Sequence, residues 1–116
     1  MNTRKVTFVR GYTDPASGDV WKEAVVRCPV FDDEIKAQEA CGQSVSQSLF
    51  TAHFINHCIT AFGPGVFAPG TDVIRRMHRD DVALLFGAIC DLEMGVPEVS
   101  TEGNAEESAE STDGES

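Results

Sequence analysis

Polar and apolar residues alternate from Val6 to Arg10. Val6 and Phe8 fall on one face and Thr7 and Val9 on the other, the period of a half-buried strand. Turn formers fill Gly11 to Gly18, where Asp14-Pro15 starts a turn and Gly18 tolerates positive φ. A second strand-like run from Val20 to Arg27 completes a β-hairpin. An isolated hairpin is marginal in water, so its apolar face must pack on the helices that the rest of the chain predicts.

Pro29 ends the second strand, and Asp32 and Asp33 suit a helix N-terminus. Helical spacing then runs from Ile35 to about Phe62, with Gly42 as a weak point or a break. Val45, Leu49, Ala52, Ile55, Ile59 and Phe62 recur every three or four residues as one stripe. Phe50, Phe54, Cys58 and Ala61 fall on the other side, leaving only Ser46, His53, His57 and Thr60 as a polar sector. A helix that is apolar almost all round is central in a core or covered by a partner. In so small a domain the second alternative is favoured, and Phe50, Phe54 and Ala61 are the candidate partner-binding residues. Two prolines and three glycines within residues 63–70 make a loop, and Asp72 to Met77 forms one short turn. A final helix capped by Asp80 or Asp81 presents Val82, Leu85, Phe86, Ile89 and Leu92, with Gly95 and Pro97 closing it. The expected fold is α+β: an N-terminal β-hairpin packed on a small bundle of about three helices.

Charge divides the chain in two. Of its 116 residues, 19 are acidic and 9 are Lys or Arg, a net charge of −10. Seven of those acids and none of the bases lie beyond Pro97, so residues 1–96 carry only −3. Residues 1–96 are expected to form the one folded domain. Residues 97–116, with no large apolar residue after Val99, form an acidic tail expected to be disordered because burial cannot offset its ordering entropy. The acidic balance argues against the phosphate backbone of nucleic acids as a partner. No apolar run approaches a membrane span, and no h-region of a signal peptide opens the chain.

Candidate chemistry is sparse. His53 and His57 are four residues apart on one helix face, but the zincin pattern needs Glu directly after the first His, where this chain has Phe54. Cys58 points about 100° from His57 on a helix, so the two make no nucleophile–base pair. The four cysteines contain no C-x-x-C and read as reduced thiols serving as small hydrophobes. Gly63-Pro64-Gly65 has no following Lys-Ser or Lys-Thr for phosphate. Arg75, Arg76 and Arg79, beside Asp80 and Asp81, read as a salt-bridged helix start. No catalytic set, cofactor site or metal site is expected, and the chain is not expected to be an enzyme.

One family shares this order of features. The hairpin Val6 to Arg27 is followed by Val26-Arg27-Cys28-Pro29-Val30-Phe31-Asp32 at a strand end and helix start. A helical middle leads to Val73-Ile74-Arg75-Arg76-Met77-His78-Arg79-Asp80-Asp81-Val82-Ala83-Leu84-Leu85. Over residues 5–94 the chain resembles the phage tail assembly chaperones of Mu-like and P2-like contractile-tail phages. The resemblance implies a non-enzymatic protein of the host cell cytoplasm, absent from the mature virion, that binds the tape measure protein and keeps it soluble during tail morphogenesis. It also admits a frameshift-extended form of the protein and a homo-oligomer as partners. Two rival readings are a small acidic phage inhibitor that mimics DNA against a host protein, and a minor structural subunit of the tail.

Overall fold

The computed structural model describes residues 3–97, so residues 98–116 of the expected acidic tail lie outside the described residues. The fold is α+β. Strands β1 (Thr3–Thr13) and β2 (Val20–Arg27) form the hairpin, and helices α1 (Phe31–Cys41) and α2 (Gln47–Cys58) follow. A third strand β3 (Ile59–Phe62), a short helix α3 (Thr71–Arg76) and a final helix α4 (Arg79–Glu93) complete it. The strands form an antiparallel sheet in the order β1-β2-β3.

The hairpin forms where alternation and turn chemistry place it. Gly18 has φ 79° and donates its N–H to the Asp14 carbonyl at 2.7 Å, while the Asp14 carboxylate accepts from Ser17. Val6, Ala24 and Phe62 lie opposite one another across the three strands, and all are buried. Phe8, Tyr12 and Trp21 surround Phe62 with ring centroids 5.8–6.1 Å from it. Leu85 and Ile89 of α4 and Ile55 and Cys58 of α2 join this core. An aromatic cluster of this kind stabilises beyond its buried area.

The middle of the chain departs from the expected long helix. Gly42 takes φ 63°, α1 stops at Cys41, and Ser46 starts α2 by accepting the Leu49 N–H at 3.1 Å on its side-chain oxygen. Val45, placed in the expected core stripe, is 99% exposed in the intervening turn. The helix then ends at Cys58, and residues 59–62 are a strand. Two β-branched residues, Ile59 and Thr60, favour the extended form, and Ile59 adopts φ −85°, ψ 125°. Opposite Val25 and Val26 the register shifts, so that Val26 pairs with Ile59 and Ala24 with Phe62. Three residues on β3 thus span two on β2. The bulge turns both Ile59 and Phe62 inward, although strict alternation over three positions would put them on opposite faces. A three-residue recurrence produced by a bulge is indistinguishable by spacing from one turn of helix.

Two carboxylates join elements distant in sequence. Asp33, in the first turn of α1, takes both ends of the Arg27 guanidinium at 2.6 and 2.8 Å and also accepts the Val30 N–H at 2.8 Å. Arg27 in turn donates to the His57 carbonyl at 2.8 Å, satisfying a backbone group in the last turn of α2. One side chain therefore ties β2 to both α1 and α2. The hydrogen bonds from Arg27 hold the Asp33 carboxyl below the usual carboxylate range against the opposing effect of its burial. The second carboxylate, Asp81, does not cap α4 as expected. It is fully buried and receives the N–H groups of Val9, Arg10 and Gly11 at 2.8, 3.2 and 2.9 Å. Gly11, at φ 83°, allows three successive N–H groups to converge in this bulge of β1. Helix α4 begins after His78, which makes no side-chain cap.

Candidate functional site: an apolar groove between α2 and α4

The apolar face of α4 is wider than its core contact needs. Leu85 and Ile89 point into the centre, Val82 lies beside them at the edge of the core, and Phe86 turns about 100° from Leu85 along the same helix. Facing them are Leu49 and Ala52 of α2, and α3 closes one end with Ile74 and the following Met77. Together they form an open groove of about 590 Å³. Ala52, Ile74 and Met77 are buried and form its floor, whereas Phe86 stands at the surface, 40% exposed. Arg75 and Arg79 line the groove at the α3–α4 turn, with Ser46, Gln47, Ser48 and Thr51 opposite.

Position of this groove depends on the 63–77 segment. Asn56 on α2 accepts the Gly70 N–H at 2.8 Å through its side-chain oxygen, and His53 meets the Thr71 hydroxyl at 3.1 Å. His53, from the polar sector read on the middle helix, and Asn56, which lies outside that sector, thus hold the start of α3 against α2. The expected pairing of the arginines with Asp80 and Asp81 does not form. Asp80 meets Arg10 at 3.5 Å and Asp81 faces β1. Among the described residues, Arg75, Arg76 and Arg79 have no carboxylate within 4.0 Å, although Asp72 lies one turn before Arg75 and Arg76.

The three residues read as partner-binding fall in different places. Phe50 and Phe54 share a face of α2 and stack, with centroids 6.0 Å apart and planes 14° from parallel. Phe54 rests against the core, and Phe50 borders a polar depression shared with Glu34, Gln38 and Cys41 of α1. Ala61 is not on this helix, because the chain has become β3, where it sits opposite Val25. The structure therefore does not bring the three together on one helix face. Leu49 and Phe86, assigned to core stripes by their spacing, are the residues that reach the groove. The signal for that role was the width of the α4 stripe, in which positions 82, 85, 86, 89 and 92 exceed what a single contact line uses.

The chemistry of the remaining groups is quiet. All four cysteines are free thiols, and burial pushes the Cys58 thiol up to about 12, which keeps it protonated and a poor nucleophile. Among the described residues no three His, Cys, Asp or Glu side chains are grouped closely enough to hold a metal ion. No described helix is long and apolar enough to cross a membrane. The arrangement is suited to holding an apolar object with a cation-lined end. No family model, curated protein or solved structure matches this chain.

Proposed function

We propose that the protein is a phage tail assembly chaperone that keeps the tape measure protein soluble during tail morphogenesis. The observation that carries this reading is the open apolar groove between two helices, with Phe86 at its surface. A long helical client exposes apolar seams, and a groove between helices is the natural receptor for one amphipathic helix. The resemblance over residues 5–94 supports the same role. Arg27, in the segment that carries it, holds the hairpin to both helices. A DNA-mimicking inhibitor needs outward-facing carboxylates at fixed spacing. In this chain residues 1–96 carry a net charge of only −3, their surface acids interspersed with nine bases.

Co-expression with the tape measure protein of the same phage tests the reading. The wild-type chain holds the client in the soluble fraction, and Phe86→Glu leaves it in the pellet. A control, Val66→Glu in the exposed loop, keeps it soluble. A client that is insoluble beside the wild-type chain, or equally soluble beside Phe86→Glu, overturns the reading. So does a tail gene cluster with no long helical protein encoded beside this one.

A further inference from the structure

We infer that the α2–α4 groove selects an amphipathic helix whose apolar stripe is bordered by Asp or Glu, with Arg75 and Arg79 pairing to those carboxylates. This rests on the client reading above and adds the chemistry by which the client is recognised. Three observations converge on it. The floor is apolar, and Phe86 provides a large exposed ring where a helical seam would lie. Arg75 and Arg79 line the groove and Arg76 stands beside them, all three exposed. Two of the neighbouring acids are directed elsewhere, Asp80 to Arg10 and Asp81 to the N–H groups of β1, and Asp72, one turn before Arg75 and Arg76, comes within 4.0 Å of neither. In a chain of net charge −10, Arg75 and Arg79 at the groove, with Arg76 next in sequence and no ion pair to any of the three among the described residues, form a positive edge.

Charge complementarity decides between occupants. The chain's own segment beyond Pro97 carries seven acids but no large apolar residue after Val99, so it could meet the arginines and still leave the floor and Phe86 uncovered. A second copy would bring a body of the same net sign and the same arginines. A helix with an apolar stripe satisfies both parts of the site: the stripe covers the floor, and carboxylates on its flank meet Arg75 at the end of α3 and Arg79 at the start of α4. Such rim pairs add discrimination more than raw affinity, and they weaken with salt.

The test uses the full-length chain and two labelled helical peptides of about 18 residues, long enough to span the groove. They share one leucine stripe and differ only in flanking Glu or Lys. Fluorescence anisotropy is expected to show the Glu-flanked peptide binding about tenfold more tightly at low salt, two rim pairs' worth, with the gap closing at high salt. The exchange Arg75→Glu with Arg79→Glu reverses the preference, while Phe86→Ser weakens both peptides alike. Equal binding of the two peptides overturns the inference and leaves the client reading intact. Failure of both peptides, together with an insoluble tape measure protein, overturns both. A full-length variant with the seven acids beyond Pro97 changed to Gln or Asn separates the remaining occupant. Unchanged affinity for the Glu-flanked peptide supports the helix. A tenfold gain with loss of the salt dependence makes the chain's own acidic segment the occupant and overturns the proposal.

Discussion

Two buried carboxylates show how much one side chain decides in a domain of this size. Asp81 satisfies three backbone donors of β1, and without it the N–H groups of Val9, Arg10 and the buried Gly11 lose their acceptor. Asp81→Ala is therefore expected to cost about 3 kcal/mol in urea unfolding, since a buried donor stripped of its acceptor bears the full desolvation penalty. Gly11→Ala should destabilise as well, because φ 83° disfavours any Cβ and the added carbon would meet Val20 Cγ1 at 2.8 Å. A loss below about 0.5 kcal/mol in either variant would mean that the β1 bulge rearranges freely. Asp33 makes a pH prediction. Its carboxyl is held below its ordinary value of 3.8 by Arg27, so the unfolded chain binds that proton first as the solution is acidified. The stabilisation is fully present above pH 3.8 and is lost as pH falls through the lower folded value. Asp33→Asn should thus flatten the acid limb of a stability–pH profile measured by urea unfolding. An unchanged limb would show that the ion pair contributes nothing.

At the scale of elements, the hairpin was readable because alternation, the Asp14-Pro15 turn and Gly18 all point to it. The break at Gly42 was readable too, although Ser46 as a cap and the full exposure of Val45 were not. The third strand was hidden for a specific reason. Its bulge spaces Ile59 and Phe62 as a helix would, so the pattern extends unbroken from α2. The candidate site inherited that error. Ala61 was grouped with Phe50 and Phe54 by a helical phase that ends at Cys58. The groove itself was written into the breadth of the α4 stripe, but choosing which stripe residues face a neighbour requires knowing where α3 lies. A pair of truncations separates the two phenylalanine environments. Phe62→Ala, at the centre of the aromatic cluster, should cost about 4 kcal/mol, and Phe50→Ala, half-buried beside α1, about 1 kcal/mol. Comparable losses in denaturant unfolding would place Phe50 in the core.

On the scale of the whole molecule, three connections hold the layers in register: Arg27 at the junction of β2, α1 and α2, Asp81 between α4 and β1, and Arg4 at the end of the fold. Arg4 donates to the Val96 carbonyl at 2.7 Å and approaches Asp91 at 3.8 Å, which ties the segment after α4 to β1. Because Arg4 and Asp81 act near opposite ends of α4, that helix is held to β1 along its length. Under the proposed role this matters mechanically. A client helix entering the groove pushes on Phe86, between those two anchors, and meets a wall that cannot tilt away. Helix α1 is held by Asp33 and by the fully buried Ala37. Its exposed Phe31 is 72% accessible, and nothing in the described body covers it.

A sheet edge is ordinarily a template on which a further strand can grow. In this fold the donors of Val9, Arg10 and Gly11 are already taken by Asp81, and β3 is only four residues long, with Phe62 closed onto Gly65 by a bridge. The nest around Asp81 thus does more than join a helix to a strand. It blunts a border along which copies of the protein could otherwise zip into fibrils.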